Sequence, residues 1–431
     1  MLKKALLSFL IILLCLSPVI LFGEGGVYLN SLIGEALNNN PQIQAAKLRY
    51  EAAKTRIRLL RTLQDPKFEY EYDKIVSSMI SRATNESMAP MRTFSISQEF
   101  PFPTKLFLRR AAAQKEANAY EQEYKETERK VIKEVKEVYA QLYLSSKKIQ
   151  LTNENLSLLS QFIEVANKKY SVNKANLQDA LKAQVEYSKL SNQLVLLEQE
   201  EKIAQSRLSS LLNRSSDIPT GILEDIASKN LDLSEEKIEK LTKESRPELK
   251  SFKEMVRKSE IDYSLAKQEY LPDFMVKYKR EERNGGMGSW AGTLGMTIPI
   301  WFWEKQDSFV REAKANVGVA NADYRAEENV ILFESKAALA RFNAAKKLVG
   351  IYETGVLPQA LAALQTAQRG YEADKISFLD LLDSLRTLKD FQMEYFEARA
   401  NMENALADLE RSVGTDLQSN SLPNGRQGDK S

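Results

Sequence analysis

Two long stretches of the chain repeat apolar residues at α-helical spacing and predict helices far longer than those of a compact domain. Between Lys105 and Tyr170 there is no Gly or Pro, and a helix of that length would extend about 100 Å. Its apolar residues recur at i, i+4, i+7 and i+11, namely Val131, Val135, Val138 and Leu142. A return helix is predicted to about Asn213, which completes a helical hairpin. The second half repeats this pattern from about Glu304 to Leu409, as in a tube or coiled coil.

A short segment at the turn of each predicted hairpin indicates that the chain is built from two repeats. Residues 170–181 match residues 371–382 position for position. The matched pairs are Tyr170 with Tyr371, Asn173 with Asp374, Lys174 with Lys375, and Asp179 with Asp380. After Gly, Asn and Asp are the residues that best tolerate a left-handed backbone. Each segment therefore predicts a tight turn between two long helices.

Each repeat also contains a predicted β-hairpin, which follows a helix bounded by prolines. The helices from Pro41 to Pro66 and from Pro247 to Pro272 have the same spacing. After each of them the apolar period changes from helical to alternating. The predicted strands are residues 68–73, 94–100, 274–279 and 290–298, and Asn-Gly-Gly at 284–286 is a strong turn signal between the last two.

The order of these patterns divides the chain into a leader, two repeats, an insertion and a tail. Residues 1–25 combine a basic start, an apolar core and small residues, which is typical of a secretory signal peptide; a membrane-spanning helix is the alternative. The repeats are predicted at 26–213 and 246–413. Residues 214–245 are interpreted as an inter-repeat insertion, the equatorial region, packed on the side of the helices. The Ser-, Asn- and Gly-containing tail, 414–431, is expected to be disordered.

Composition and charge argue against several classes of function. The 61 basic and 59 acidic residues are interleaved and give a net charge of +2, so nothing favours a nucleic-acid partner. The chain has no His, and its single Cys15 lies in the leader, which removes the commonest general base and transition-metal ligand. Carboxylate pairs alone could support glycoside hydrolysis, but nothing places them in a pocket. We therefore predict no enzymatic activity, no cofactor and no metal site.

Four strands are too few to cross a membrane on their own. The smallest membrane barrels have about eight strands, and an open edge cannot face lipid. Either the strands form a small soluble sheet, or several chains pool them, and three chains would supply twelve. All three tryptophans, Trp290, Trp301 and Trp303, lie on or beside the last predicted strand, as expected of a girdle at the membrane–water interface. Aromatics that cap a soluble core are the alternative.

The whole arrangement resembles the TolC-like outer-membrane efflux factor family. The most specific points are the two Tyr-x-x-[Asn/Asp]-Lys turns, the Asp-Leu-Leu-Asp step at 380–383 and the proline-terminated strands. The resemblance implies a mainly α fold with membrane β: a trimeric twelve-stranded outer-membrane barrel continuous with a long periplasmic helical barrel. It also implies a periplasmic adaptor and an inner-membrane pump as partners. Residues 98–105 resemble the heavy-metal efflux branch, whereas Asn173 and Asp374 stand where the family commonly has Gly.

The same resemblance assigns roles to residues at the two turns. Asp380 and Asp383 share one helical face and match the family's periplasmic constriction, where six carboxylates in a trimer would gate the channel and favour cations. Ordinary solvated carboxylates are the alternative. The candidates for contact with the adaptor are Tyr170, Asn173, Lys174, Asp179, Tyr371, Asp374 and Lys375. Solvated loop lysines above core tyrosines are the alternative for that set.

Two other functions remain open from the sequence. An exit duct of a type I protein secretion system would carry the same turn motifs. A soluble periplasmic coiled-coil tether would share the long helices, but it would have no use for two strand pairs with a tryptophan girdle. The efflux channel is the function that accounts for helices, strands and turns together.

Overall fold

The chain runs through helices and strands in the same order twice. The computed structural model describes residues 28–73, 91–172, 176–215, 233–283 and 288–417. The helices of the first half are α1 (Leu29–Asn39), α2 (Pro41–Leu59), α3 (Pro103–Ser171) and α4 (Leu177–Leu211). Those of the second half are α5 (Glu235–Ser245), α6 (Pro247–Gln268), α7 (Lys305–Ile351), α8 (Leu357–Glu372) and α9 (Phe378–Val413). The strands are β1 (Lys67–Asp73), β2 (Met91–Phe100), β3 (Phe274–Arg283) and β4 (Ser289–Met296).

The long first helix of the repeat is confirmed in the first half. Helix α3 is continuous over 69 residues and begins at Pro103. Proline is tolerated there because the N–H of the first helical residue has no partner within the helix. Its predicted apolar stripe is buried, with Val131 and Val135 fully inaccessible. Among the described residues, no helix combines the length and the apolar character needed to cross a membrane.

The corresponding helix of the second half is not continuous, so the expectation that the second half repeats the long helix of the first is wrong in this respect. A π-helical turn at Tyr352–Val356 separates α7 from α8, and Pro358 follows in the first turn of α8. Proline lacks the N–H of an ordinary helical hydrogen bond, and its ring crowds the carbonyl four residues earlier. The wider π turn accommodates this because the Leu357 N–H bonds to the Tyr352 carbonyl instead.

The described strands form one antiparallel sheet in the order β1-β2-β3-β4. The hairpins β1/β2 and β3/β4 were predicted, and β2 also pairs with β3 along its whole length, from Met91 with Arg283 to Phe100 with Phe274. This pairing makes β2 and β3 longer than predicted. The loop before β2 and the predicted Asn-Gly-Gly turn at 284–286 lie outside the described residues. Strands β1 and β4 are the edges, and neither has a further strand partner in the described part of the chain.

The chain divides into two compact units, and each takes segments from both repeats. The first unit comprises Met1–Asn40, Glu134–Leu231 and Ala344–Asn404; the second comprises Pro41–Lys133, Asp232–Asn343 and Ala405–Ser431. The predicted signal peptide lies outside the described residues, as does most of the predicted insertion, of which α5 is described. The sequential division into leader, repeats, insertion and tail therefore stays a prediction.

The second unit has a buried arginine where α6 begins. Arg246 is 1% exposed, bonds to the Glu248 carboxylate at 2.7 Å and donates to the Arg411 carbonyl. Gly414 has a φ of +81°, and a Cβ there would lie 2.8 Å from the Arg246 Cα, so no side chain fits. Leu417 is also buried. The expectation of a disordered tail from residue 414 is thus wrong for its first four residues.

The first unit has a core to which four helices contribute. Its buried apolar residues come from α3, α4, α8 and α9 and include several alanines, which let the helices approach closely. They are Leu159, Phe162, Ala166, Ala180, Ala183, Leu190, Ala360, Leu364, Ala367, Tyr371, Phe378, Leu381, Leu382, Leu385 and Leu388. The two helical hairpins therefore pack against each other up to their turns.

Candidate functional site

The turn between α8 and α9 is the better described of the two predicted hairpin turns. Asp374 has a φ of 58°, so the predicted left-handed turn is confirmed there. The Lys375 N–H bonds to the Gly370 carbonyl at 2.8 Å, which closes the end of α8. A side chain at Gly370 would meet Ile376 at 3.3 Å. Asn173, Lys174 and Ala175 of the first turn lie outside the described residues.

Asp380 caps the start of α9. Its Oδ2 accepts hydrogen bonds from the Ser377 N–H at 3.1 Å and the Ser377 hydroxyl at 2.7 Å. The Asp380 N–H in turn donates to the Ser377 Oγ at 3.2 Å. This reciprocal pattern is a capping box. Asp383 is exposed one turn further on and takes no part in the cap. The two carboxylates predicted as a gate therefore have different local environments.

A lysine of α3 reaches the turn of the other hairpin. The Lys169 ammonium donates to the Tyr371 carbonyl and to the Asp374 carboxylate, and it lies 4.2 Å from the centre of the Tyr371 ring. Its side chain is only 15% exposed. The carbonyls at the end of α8 carry partial negative charge, which favours a cation at this position. We call this contact the Lys169 clamp; it fastens the second turn to the first hairpin.

The two matched tyrosines have different surroundings. Tyr170 is 44% exposed, whereas Tyr371 is 6% exposed and packs edge-on against Phe378 at 5.5 Å. The Tyr371 hydroxyl is buried without a hydrogen-bond partner among the described residues. Burial raises its pKa, and the nearby charges of Asp179 and Asp374 raise it further. Tyr371 thus belongs to the core, although it was a candidate for contact with an adaptor. Lys375 is exposed, and Asp179 is half-buried in the first turn of α4.

A buried ion pair joins α4 to α9 below the turns. Glu186 is 8% exposed, and the Arg386 guanidinium donates to its carboxylate. Burial alone would raise the pKa of Glu186, but the hydrogen bond and charge of Arg386 outweigh it and hold the pKa below its usual value. Lys189 lies 3.9 Å from the same oxygen. The pair holds the two hairpins together and is ionised at neutral pH.

One side of the hairpins presents apolar residues that nothing described covers. The exposed members on α4 are Leu177, Leu181, Val185, Val195, Leu196 and Ile203. Near the turns they border a groove between α4 and α9, which is also lined by Lys182, Lys189 and Arg386. A row of half-exposed aliphatic residues along a long helix is typical of a helix–helix interface.

The sheet of the second unit has two chemically different faces. Strand pairing places all even-numbered residues of the four strands on one face and all odd-numbered residues on the other. The even face is largely apolar, and its exposed residues are Phe68, Tyr70, Tyr72, Ile96, Phe100, Phe274, Val276, Tyr278, Trp290, Leu294 and Met296. So many exposed apolar side chains on one face require a cover, either protein or lipid.

The odd face carries charged and small residues that interact across the strands. Lys277 on β3 reaches over β2 to Glu69 on β1 at 2.8 Å, and Ser95 between them donates to the same carboxylate at 3.1 Å. The Lys279 ammonium lies 2.6 Å from Glu281. A water-filled space would solvate this face, whereas lipid would not.

The tryptophans lie at both ends of β4. Trp301 and Trp303 follow the strand and stack edge-on at 5.8 Å, whereas Trp290 is the second residue of β4 and is 75% exposed. The three predicted girdle residues are therefore divided between the two ends of β4. Eight strand residues rise about 25 Å along the strand. At the tilt of about 40° found in membrane barrels they would span about 19 Å, most of an apolar band that is about 25 Å tall between two aromatic girdles.

Several residues of the site were not predicted from the sequence. Lys169, Glu186 and Arg386 make long-range contacts across some 200 residues, which no local pattern reports. Glu186 did leave a signal, because it falls within the buried stripe of α4 between Ala183 and Leu190. A carboxylate in a core stripe indicates a buried partner. In the described residues, no group of three or more potential ligands forms a metal site.

Comparison with known proteins identifies the family. The family model described as outer membrane efflux protein matches residues 32–214 and 240–415, which is most of the chain. The chain belongs to the outer membrane efflux protein family. A curated relative is the cobalt-zinc-cadmium resistance protein CzcC of Cupriavidus metallidurans, 21% identical over 65% of this chain and 67% of CzcC. Another is the outer membrane protein TolC of Vibrio cholerae, 20% identical over 90% of each chain.

Solved structures of such channels have the same fold. The outer membrane protein VceC of Vibrio cholerae aligns with a TM-score of 0.75 at 18% identity, over 90% of this chain and 96% of VceC. The predicted TolC-like fold is thereby confirmed, with its helices and membrane β. As a family member, the chain is an outer-membrane channel component of efflux, and the members of this family are channel proteins.

Proposed function

We propose that three copies of this outer membrane efflux protein share one channel, each contributing four strands to a twelve-stranded barrel. The observation that carries this proposal is the sheet, which has one apolar face, one charged face and two edges that pair with no further strand in the described part of the chain. In a closed ring β4 of one copy would pair with β1 of the next, and no edge would face lipid. The even face would contact outer-membrane lipid, and the odd face would line the water-filled lumen.

The exposed apolar residues of α4 support the same assembly for the helices. Side by side, three copies would bury Leu181, Val185, Leu196 and Ile203 at the joints of a helical barrel that extends into the periplasm. A periplasmic adaptor would dock on the exposed turns and connect the channel to an inner-membrane pump. The proposed contact residues that remain accessible among the described ones are Tyr170, Asp179, Asp374 and Lys375; Asn173 and Lys174 are proposed from the sequence alone.

Cations are the substrate class that the turns favour. In a trimer Asp383 would contribute three carboxylates to a ring, and Asp380 three more that also cap α9. Converging carboxylates attract cations and repel anions. CzcC is named for resistance to cobalt, zinc and cadmium, and divalent metal ions fit this charge. The protein conducts passively, since energy for transport would come from the pump.

The test is the ion selectivity of the purified channel in planar bilayers. Under a potassium chloride gradient, the reversal potential should indicate preference for cations, and Asp383→Asn should reduce that preference. The control is Glu164→Gln, an exposed carboxylate on α3 of the first hairpin. An anion-selective channel, or equal effects of both variants, would contradict the proposal.

A further inference from the structure

The described charged residues of the even face all lie at one end of it. They are Arg92 on β2 and Arg280 and Glu282 on β3. Every other described residue of that face is uncharged. The odd face, by contrast, carries charged residues at both ends, Glu99 at one and Glu281 at the other. The confinement of charge to one end is therefore a property of the even face and not of the whole sheet.

The strand pairing places these charges in two adjacent rows that cross the sheet. The first row consists of Tyr72, Arg92 and Glu282, and the second of Tyr70, Phe94, Arg280 and Trp290. Both rows lie at the end where the hairpins turn, whereas the opposite end of the sheet adjoins the helices α2, α3, α6 and α7. In the proposed channel those helices extend into the periplasm, so the two charged rows lie on the outward side, at the level of the outer leaflet.

Both arginines are accessible to a partner outside the sheet. Arg92 is exposed and makes no ion pair with any residue in the described ranges. The Arg280 side chain is 61% exposed, and its guanidinium lies 3.1 Å from the Glu282 carboxylate, which offsets one positive charge. Two arginines and one glutamate leave a net charge of +1 on this face of each chain. The rows therefore favour an anionic partner.

Arginine beside an interfacial tryptophan fits the phosphate group of a lipid. Trp residues lie at the level of lipid headgroups, and Arg280 pairs directly with Trp290 across β3 and β4. Arg92 and Arg280 are diagonal neighbours on adjacent strands, about 7–8 Å apart, so both guanidinium groups can reach one phosphate. A guanidinium binds phosphate through two parallel hydrogen bonds. The Glu282 carboxylate accepts hydrogen bonds and suits the hydroxyl groups of a sugar.

We propose that Arg92, Arg280 and Glu282 form a binding site for a phosphorylated glycolipid of the outer leaflet, one site on each chain. The inference rests on the proposed channel, since only a barrel embedded in the outer membrane turns its even face to lipid. The two arginines bind the phosphate, and Glu282 accepts from a hydroxyl of the adjoining sugar while it remains paired with Arg280. The acyl chains lie along the apolar residues below, towards Tyr278 and Leu294.

The experiment measures the binding of diphosphoryl lipid A to the detergent-extracted trimer by native mass spectrometry. Titration should show up to three bound molecules for each trimer. Arg92→Gln with Arg280→Gln should weaken binding about 25-fold, because each cation near an anionic lipid contributes about fivefold. The matched control is Lys277→Gln with Lys279→Gln, which removes two cations of the odd face and should leave the affinity unchanged. An equal loss of affinity in the two pairs of variants would overturn the site.

Two further probes define the ligand. Lipid A without phosphate should bind at least about tenfold more weakly than diphosphoryl lipid A, because the charge-assisted bonds to phosphate are lost. Equal binding of these two lipids would also overturn the site. Phosphatidylglycerol that binds as tightly as diphosphoryl lipid A would overturn the assignment to a glycolipid. A trimer whose lipid binding is unaffected by the arginine variants removes the site but not the channel, whereas the absence of a trimer removes the proposed channel itself.

Discussion

Single charged residues reinforce the apolar core that joins the two hairpins near their turns. Glu186 and Arg386 lie on different hairpins; the Glu186 side chain is 10% exposed, whereas the Arg386 side chain is 39% exposed. Lys169 binds the end of α8 and the left-handed residue of the turn at the same time. Because Glu186 and Lys169 are the buried members of these contacts, losing the partner of either one leaves a charge that water compensates poorly.

The first prediction concerns Glu186. Its pKa lies below the usual value, so its contribution to stability is fully present above about pH 4.5 and is lost as pH falls through the lowered pKa. Glu186→Gln should therefore destabilise the protein by about 1–2 kcal/mol at pH 7 and by much less near pH 3. Thermal unfolding in detergent at both pH values measures this difference. Glu164→Gln, on the exposed surface of α3, is the control and should leave the midpoint unchanged. A loss of stability in Glu186→Gln that does not depend on pH would contradict the assignment of Glu186 as an ionised partner of Arg386.

The second prediction concerns the Lys169 clamp. Lys169→Met keeps the length of the side chain but removes the donor to the Tyr371 carbonyl and the Asp374 carboxylate. Amide hydrogens of residues 373–377 should then exchange about tenfold faster, because one charge-assisted contact is lost. Hydrogen exchange followed by mass spectrometry resolves this segment. Lys168→Met removes the neighbouring, exposed lysine and should have no effect there; faster exchange in both variants would argue against the clamp.

The third prediction separates the roles of the two gate carboxylates. Asp380→Asn weakens the capping box and should cost about 0.5–1 kcal/mol of stability. Asp383→Asn touches no cap and should leave the melting temperature unchanged while it reduces cation selectivity. Thermal unfolding and reversal potentials, measured on the same two variants, test this division. Equal stability of both variants would mean that the Ser377–Asp380 cap contributes nothing.

At the scale of elements, the periodicity of the sequence predicted the fold well where one pattern persists over many residues. Helix α3 was predicted within two residues at each end, since nothing in 105–170 opposes a helix. The extra length of β2 and β3 was missed, because Arg280, Glu281 and Glu282 do not alternate with apolar residues. Their strand structure follows from pairing with β2, which is a tertiary effect. The π turn was not predicted, although Gly350, Gly355 and Pro358 are residue types that commonly interrupt helices.

The candidate site was predictable only in part, because some of its features depend on tertiary contacts. The left-handed Asp374 follows from a local turn pattern. The burial of Tyr371 does not follow from a local pattern, because it depends on contacts with Lys169 of α3 and Phe378 of α9. The matched segments of the two repeats are alike in sequence, yet Tyr170 is exposed. Repetition therefore predicts backbone geometry better than it predicts burial.

The fourth prediction tests the two faces of the sheet with neighbouring residues of β4. Leu294 is on the even face and 79% exposed, whereas Thr293 is on the odd face. Leu294→Lys would place a charge in lipid and should cost up to about 2–4 kcal/mol, so the yield of outer-membrane protein should fall. Thr293→Lys would face the lumen and should be tolerated. Yields in the outer-membrane fraction measure both, and equal losses would refute the assignment of faces.

At the scale of the whole molecule, one chain carries features that only an assembly can satisfy. Within the described residues the sheet ends in two unpaired edges, its even face is largely apolar, and α4 exposes a row of aliphatic residues. Each feature alone would be a liability for aggregation. In a closed ring of three chains, neighbouring chains would cover the strand edges and the aliphatic row of α4, and membrane lipid would cover the even face. The two unlike hairpins of each chain would then alternate around the channel.

The most direct test of this account is the mass of the channel extracted from outer membranes in mild detergent and measured by native mass spectrometry. We predict a species with three times the mass of the mature chain, which forms conducting channels when added to planar bilayers. A monomer that remains in aqueous buffer without detergent and conducts no ions would contradict the account.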